Sequence, residues 1–257
     1  MWSIQFKGFM RRLWAFIVCV LLLGSARAQE RITLVGEDDW YPYAAARHGK
    51  AHGLGVDIIT AAYQSVGVEV NFRTMPYARC MAQVKAGQEL GCFDSAPDSQ
   101  LNADYLFHQT PLFDATIGIY AMASSKERNL APQHLKGQRV GFTNGYTYGD
   151  AVELDHSIAR DVARTDLLNL RKLLLGRTAY SLVYTRVVDH LQATHPQELG
   201  GKIKQVGVVM NTRLFVSFSK LRPESARYAK LLDQGLKNLH TDHSYAQILQ
   251  RWNTAPP

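Results

Sequence analysis

The hydrophobic positions change period several times along the chain, and each change marks an element. Ile32 to Val35 is a short apolar run that fits a buried strand. It leads into Gly36-Glu37-Asp38-Asp39-Trp40-Tyr41-Pro42-Tyr43, where acids and aromatics crowd a turn that could offer a flat platform to a ligand. After a glycine-broken segment from His48 to Gly55, Val56, Ile59, Tyr63 and Val66 recur on one helical face, and Val68, Val70 and Phe72 alternate as a strand. Pro76 suits a first helical position, and Tyr77, Met81 and Val84 repeat at helical spacing until Gly87 ends the run. Leu90 to Phe93 reads as a buried strand ending in the polar lip Asp94-Ser95-Ala96-Pro97-Asp98. Strand, helix, strand, helix, strand is the pattern of a parallel sheet covered by helices, and ligands sit at the carboxyl ends of such strands.

A second series follows. Thr116 to Met122 is extended and apolar, and Ser124 to His134 is polar and irregular. Arg139 to Thr143 reads as a strand, Asn144 to Asp150 as a glycine-containing turn, and Leu167, Leu170 and Leu174 as one face of a helix that Gly176 ends. Ala179 to Tyr184, Val206 to Met210 and Phe215 to Phe218 are extended again. Pro223 introduces a helix with Tyr228, Leu232, Leu236 and Leu239 on one face, and a last helix sets Tyr245, Ile248, Leu249 and Trp252 at spacings of three and four. The expectation is an α/β chain of two similar units joined near residues 119 and 212, with the C-terminal helices returning to the first unit.

The first 28 residues fit a secretory signal peptide: Lys7, Arg11 and Arg12 precede the apolar run Leu13 to Leu23, and Ala26-Arg27-Ala28 supplies a small-x-small cleavage pattern. The run is too short to span a bilayer, and the residue directly after the cleavage site is Gln29 rather than a cysteine that could carry a lipid, so a soluble exported protein starting near Gln29 is expected. The formal charge of +7 changes meaning on that reading. Four bases and no acid leave with the leader, and the remainder is close to balanced, which gives no footprint for nucleic acid or an acidic membrane. Cys80 and Cys92 are then the remaining cysteines. An exported compartment favours a disulfide between them, worth about 3 kcal/mol, over two buried thiols.

These marks, taken in order, resemble the bacterial extracellular solute-binding proteins of family 3, the amino-acid-binding type of ABC-transporter receptor. The resemblance rests on WYPY after the first strand, GLGVDIITAA at residues 53 to 62, MAQVKAG at 81 to 87, LKGQRVGFTNG at 135 to 145, LLLGRTAYSLVYTRVV at 173 to 188 and SYAQILQRW at 244 to 252. It implies a two-lobed periplasmic-binding-protein (Venus-flytrap) fold with two crossover strands, with residues 29–118 plus 213–257 as one lobe and 119–212 as the other. It also implies a monomeric periplasmic receptor, without cofactor or catalysis, that closes on a small polar solute and delivers it to an ABC-transporter permease or reports it to a membrane sensor. The contacts it carries over are Trp40 as stacking platform with Tyr41 beside it, Glu37 at an acidic position, and Ser95 at the end of the third strand. Thr143, Tyr146 and Thr147 fall in a second-lobe loop whose N–H groups and hydroxyls would take an anion.

Two departures limit the analogy. Amino-acid receptors hold the α-carboxylate with an arginine where this chain has about Asn102, and no lysine or arginine occurs between Lys85 and Lys126. They hold the α-amino group with an aspartate where this chain has about Tyr184, and no acid lies between Arg177 and Asp189. An unpartnered buried charge costs about 3–5 kcal/mol, so an amino acid clamped in the usual way is not expected. Arg79 or Arg213 could replace the missing cation, or both could be solvated surface arginines. Relatives include periplasmic cyclohexadienyl dehydratases, for which Glu37, Asp38, Asp39 or Asp94 would have to supply the acid, against their simpler use as solvated or capping carboxylates. His240 and His243 lack an evident third metal ligand, and Gly53-Leu54-Gly55 lacks the third glycine of a dinucleotide fingerprint.

Overall fold

The computed structural model describes residues 29–254. The leader therefore lies outside the described residues. The first α/β series comprises strands β1 (Glu30–Gly36), β2 (Asp39–Trp40), β3 (Ala44–Arg47) and β4 (Lys50–His52), helix α1 (Leu54–Gln64), strand β5 (Val68–Thr74), helix α2 (Tyr77–Lys85), strand β6 (Gly91–Ser95), the short helix α3 (Ser99–Asp104) and strand β7 (Tyr105–Phe107). Strand β8 (Phe113–Met122) leads out of it. Beyond a 3₁₀ turn at Pro132–Leu135 come β9 (Arg139–Thr143), α4 (Asp150–Glu153), β10 (Ala159–Ala163), α5 (Asp166–Leu174), β11 (Tyr180–Tyr184), α6 (Thr185–Thr194) and α7 (Pro196–Leu199). The long strand β12 (Ile203–Ser219) returns, and α8 (Ser225–Thr241) and α9 (Ser244–Thr254) close the chain.

One curled sheet runs β10-β9-β11-β8-β12-β6-β1-β5. Its parallel pairs are β1 with β6, β9 with β10 and β9 with β11, as helical crossovers require. At its centre β8 and β12 run antiparallel from Ile203 opposite Met122 to Leu214 opposite Phe113, and β12 continues alongside β6. These two strands are the crossovers between the lobes of a two-lobed periplasmic-binding fold.

The pattern-based elements recur, with instructive differences. The apolar stripes Tyr228, Leu232, Leu236 and Leu239 of α8 and Tyr77, Met81 and Val84 of α2 are buried. The segments 206–210 and 215–218 form a single strand: Asn211 and Arg213 are exposed and interrupt the apolar run, but their backbones keep pairing with β8. The glycine-broken stretch holds a hairpin, with Arg47 paired to Lys50 across His48 and Gly49, whose φ values of 51° and 74° suit a two-residue turn. Strand β10 carries too little apolar sequence to announce itself, and its Val162 is 52% exposed. The third strand extends past Phe93, because Ser95 still pairs with Phe215 of β12, so Asp94 and Ser95 are buried strand residues rather than part of an exposed lip.

The C-terminal helices dock beside α1. Tyr63 of α1 donates to the Tyr228 carbonyl at 2.9 Å, Trp252 Nε1 to Asp57 at 2.9 Å, and Tyr245 to the Leu112 carbonyl at 2.8 Å. Cys80 of α2 and Cys92 of β6 are joined by a disulfide, and both are fully buried. Among the described residues no helix is long and apolar enough to cross a membrane.

Candidate functional site

The carboxyl ends of β1 and β6 face the loop after β9 and the end of β11 across a tight cavity: its empty space, open solvent included, is about 310 Å³, and about 20 Å³ of it admits the centre of a water-sized molecule. The first lobe contributes Glu37 and Trp40 from the turn after β1, Tyr77 from the first turn of α2, and Phe93, Asp94 and Ala96 from β6 and its exit. The second lobe contributes Tyr146 and Thr147 from the turn after β9 and Tyr184 from the end of β11. Glu37, Tyr146 and Thr147 are half-buried and form the rim, while the other lining residues are buried.

The walls are an aromatic box. Tyr184 meets Trp40 edge-on at a centroid distance of 4.8 Å, and Tyr146 stands nearly perpendicular to Tyr77 at 5.5 Å and to Trp40 at 6.3 Å. Edge-to-face contacts of this kind hold the rings rigidly, and each presents an electron-rich face elsewhere. Tyr43 backs Trp40 at 4.5 Å and stacks on Phe113 at 5.1 Å, which fixes the platform to the first crossover strand.

The lobes touch at the cavity rim. Tyr146 donates to Glu37 Oε2 at 2.7 Å, Thr147 Oγ1 to the Ala96 carbonyl at 3.1 Å, and Ser99 Oγ to Asp150 Oδ1 at 2.8 Å. Gly145, with φ +82°, lies so close to α2 that a Cβ there would fall 2.7 Å from the Ala78 Cβ. This is the conformation with the cleft shut.

Electrostatically the site is acidic. Asp94 is 7% exposed, neither of its carboxylate oxygens has a hydrogen-bond partner, and burial pushes its carboxyl well above the usual carboxylate range. Burial raises Glu37 as well, against the lowering effect of the Tyr146 hydroxyl. Behind the rim, Thr143 Oγ1 donates to Asp166 Oδ1 at 2.5 Å, and burial lifts the Asp166 carboxyl to about 7 despite that bond. The Trp40 indole N–H also has no acceptor. No lysine or arginine lines the cavity among the described residues.

The sequence-derived contacts divide into three groups. Glu37, Trp40, Tyr146, Thr147 and Tyr184 line the cavity. Ser95 and Thr143 stand one layer behind: Ser95 Oγ accepts from the Tyr77 hydroxyl at 3.0 Å, and the Thr143 N–H donates to Tyr148 Oη at 2.8 Å. Tyr41, Arg79 and Asn102 are elsewhere. Tyr41 turns from the cavity to pack under the Arg47 guanidinium at 3.7 Å and against His190 at 4.4 Å. Arg79 is exposed on α2, because the buried face of that helix is taken by Tyr77, Cys80, Met81 and Val84. Asn102 is exposed on α3, with its carbonyl accepting from Lys220 Nζ at 3.1 Å, and Arg213 is exposed on β12. Arg186 lies behind Tyr43, 5.8 Å from that ring, and donates to the Trp252 carbonyl rather than lining the cavity.

Tyr77, Phe93 and Asp94 were not among the expected contacts. Tyr77 sits on an apolar helical stripe and reads as core. Asp94 carried the available signal, an acid directly after a buried strand. Asp98, from the same segment, instead caps α3 by accepting from the Leu101 N–H at 2.8 Å.

A cleft between two lobes bridged by paired crossover strands is the architecture of a solute-binding protein. Residues 32–255 match the bacterial extracellular solute-binding proteins, family 3, and the chain belongs to that family. Its fold is similar to an ancestral arginine-binding protein bound to arginine, at 18% identity and TM-score 0.72 over 86% of this chain and 97% of that one. It is also similar to the arginine-, lysine-, histidine-binding protein ArtJ from Geobacillus stearothermophilus, at 19% identity and TM-score 0.73 over 89% and 97%. A histidine kinase sensor domain with similarity to periplasmic binding proteins matches at 18% identity and TM-score 0.75 over 90% and 100%. No curated protein sequence matches the chain.

Proposed function

We propose that the chain is an exported periplasmic receptor that shuts on a small polar solute and presents the closed form to an inner-membrane ABC permease. Residues 29–118 plus 213–257 would form one lobe and 119–212 the other. The observation that carries the reading is the cavity itself: aromatic walls and an unpartnered buried carboxylate, sealed at the rim by the bond between Tyr146 and Glu37. A solute held there touches both lobes only when they are together, so its binding free energy shifts the open–closed balance toward the form a membrane partner would recognise. The solute is not clamped as an α-amino acid, since Asn102 is exposed and Tyr184 fills the place of the acid.

The similarity to a kinase sensor domain supports a second reading, in which the same closure reports the solute to a membrane signalling protein. A dehydratase reading would require one of the raised carboxyls to act on a substrate, and family membership favours binding over that chemistry. Native mass spectrometry of the protein, purified without dialysis, should show a small molecule retained at one per chain and lost on denaturation. A chain that carries none, and whose melting temperature no metabolite raises, would refute the receptor reading.

A further inference from the structure

We propose that the solute is a small organic cation bearing N–H groups and no carboxylate, docked on Asp94 inside the aromatic box through a protonated amine, amidinium or guanidinium. This rests on the receptor reading and narrows it.

Asp94 is the centre of the argument. A buried carboxylate ordinarily finds hydrogen-bond donors, because leaving it unpaired is costly, yet both oxygens here are unsatisfied while the residue lines the cavity. Its backbone is also held in the left-handed region, at φ 66°, a conformation that persists in a non-glycine residue when the surroundings enforce it. Those surroundings include Gly55, in the first turn of α1, where a Cβ would come within 2.4 Å of Asp94 Oδ1. The carboxyl is thus fixed beside a helix N-terminus whose partial positive charge favours its ionised form once a partner arrives. Two unpaired acceptor oxygens on one rigid carboxylate fit the paired N–H groups of a guanidinium or amidinium, or the several donors of an ammonium.

The walls and the missing residues point the same way. Trp40, Tyr77, Tyr146 and Tyr184 offer ring faces that attract cations, and Glu37 adds a second acid at the rim. A carboxylate on the solute would meet Glu37 and Asp94 with no lysine or arginine of the lining to neutralise it. A neutral solute would meet Asp94 only in its protonated form and would leave the ionised carboxylate unused.

Calorimetry on the exported protein, after retained solute is stripped, tests this with agmatine, putrescine and benzylamine as N–H cations. Choline serves as a cation lacking N–H, arginine and glutamate as carboxylate carriers, and glucose as a neutral solute. An N–H cation should bind tightest, with agmatine ahead of arginine and choline far behind. Asp94→Asn should weaken the tightest complex on the order of 10- to 100-fold without lowering the melting temperature of the empty protein, and Glu37→Gln should weaken it less. Arginine, glutamate or glucose as tightest solute, choline equal to the amines, or Asp94→Asn binding like the parent would each overturn the proposal. If one of those solutes binds with compaction in small-angle scattering, the receptor reading stands and the cation assignment alone falls. If no solute binds and none is retained, both fall.

Discussion

Asp166 shows how burial at single residues sets the pH response. Its carboxyl is lifted to about 7 by burial, so between the ordinary carboxylate range and pH 7 the native state keeps a proton that the unfolded chain has released. Stability is therefore fully present below about pH 4, declines as the pH rises through about 7, and levels off beyond. Asp94 and Glu37 shift in the same direction and add to the decline. Asp166→Asn keeps an acceptor for Thr143 while removing the titration, so melting temperatures measured across this range should fall less steeply for the variant than for the parent. An identical slope would show that Asp166 is ionised in the fold. Single residues were unevenly legible from the chain: Trp40 and Glu37 stand out as an aromatic and an acid after a strand, whereas Tyr77 shares its spacing with core residues and nothing local marks it as lining a cavity.

At the scale of elements, the turn after β9 and the start of α2 act as facing jaws. Gly145 takes φ +82° and leaves no room for a side chain against Ala78, whose Cα would lie 2.8 Å from an added Cβ. An alanine there carries a backbone cost of about 1 kcal/mol wherever the lobes stand, but the clash exists only when they meet. Gly145→Ala should consequently lower the melting temperature of the empty protein by a few degrees and reduce solute affinity more than tenfold, read by a thermal scan and calorimetry side by side. Equal affinity would mean that the two elements do not approach in the bound form. The disulfide ties α2, with Tyr77, to β6, with Asp94, so two walls of the cavity move as one piece. Helices and central strands could be read from their periods, because a buried face must repeat with the backbone. The hairpin of β3 and β4 and the edge strand β10 could not, since they bury little and are held by backbone pairing.

For the whole molecule, the paired crossovers β8 and β12 are the only connection a two-lobed clamp needs in order to hinge, and the rim bonds are the contacts such a hinge would break. Addition of the retained solute to stripped protein should reduce the radius of gyration in small-angle scattering, and Tyr146→Phe, which removes the bond to Glu37, should shift the empty protein toward the larger value. Profiles that coincide with and without solute would contradict closure as the output.

Periodicity, turn chemistry and the order of motifs were enough to read an α/β chain of two units, because a buried face must repeat with the backbone that carries it; the expectation that the usual amino-acid clamp is missing came instead from setting Asn102 and Tyr184 against the resembled family. Tertiary structure decided which residues line the cleft. It carried Asp94 past the expected end of its strand into a buried, unpartnered position, turned Tyr41 and Arg79 away, and assembled Trp40, Tyr77, Tyr146 and Tyr184 into one box. These rings and acids come from segments up to about 150 residues apart. Their convergence depends on how the two halves of the sheet are joined through β8 and β12, a long-range pairing that no local pattern encodes.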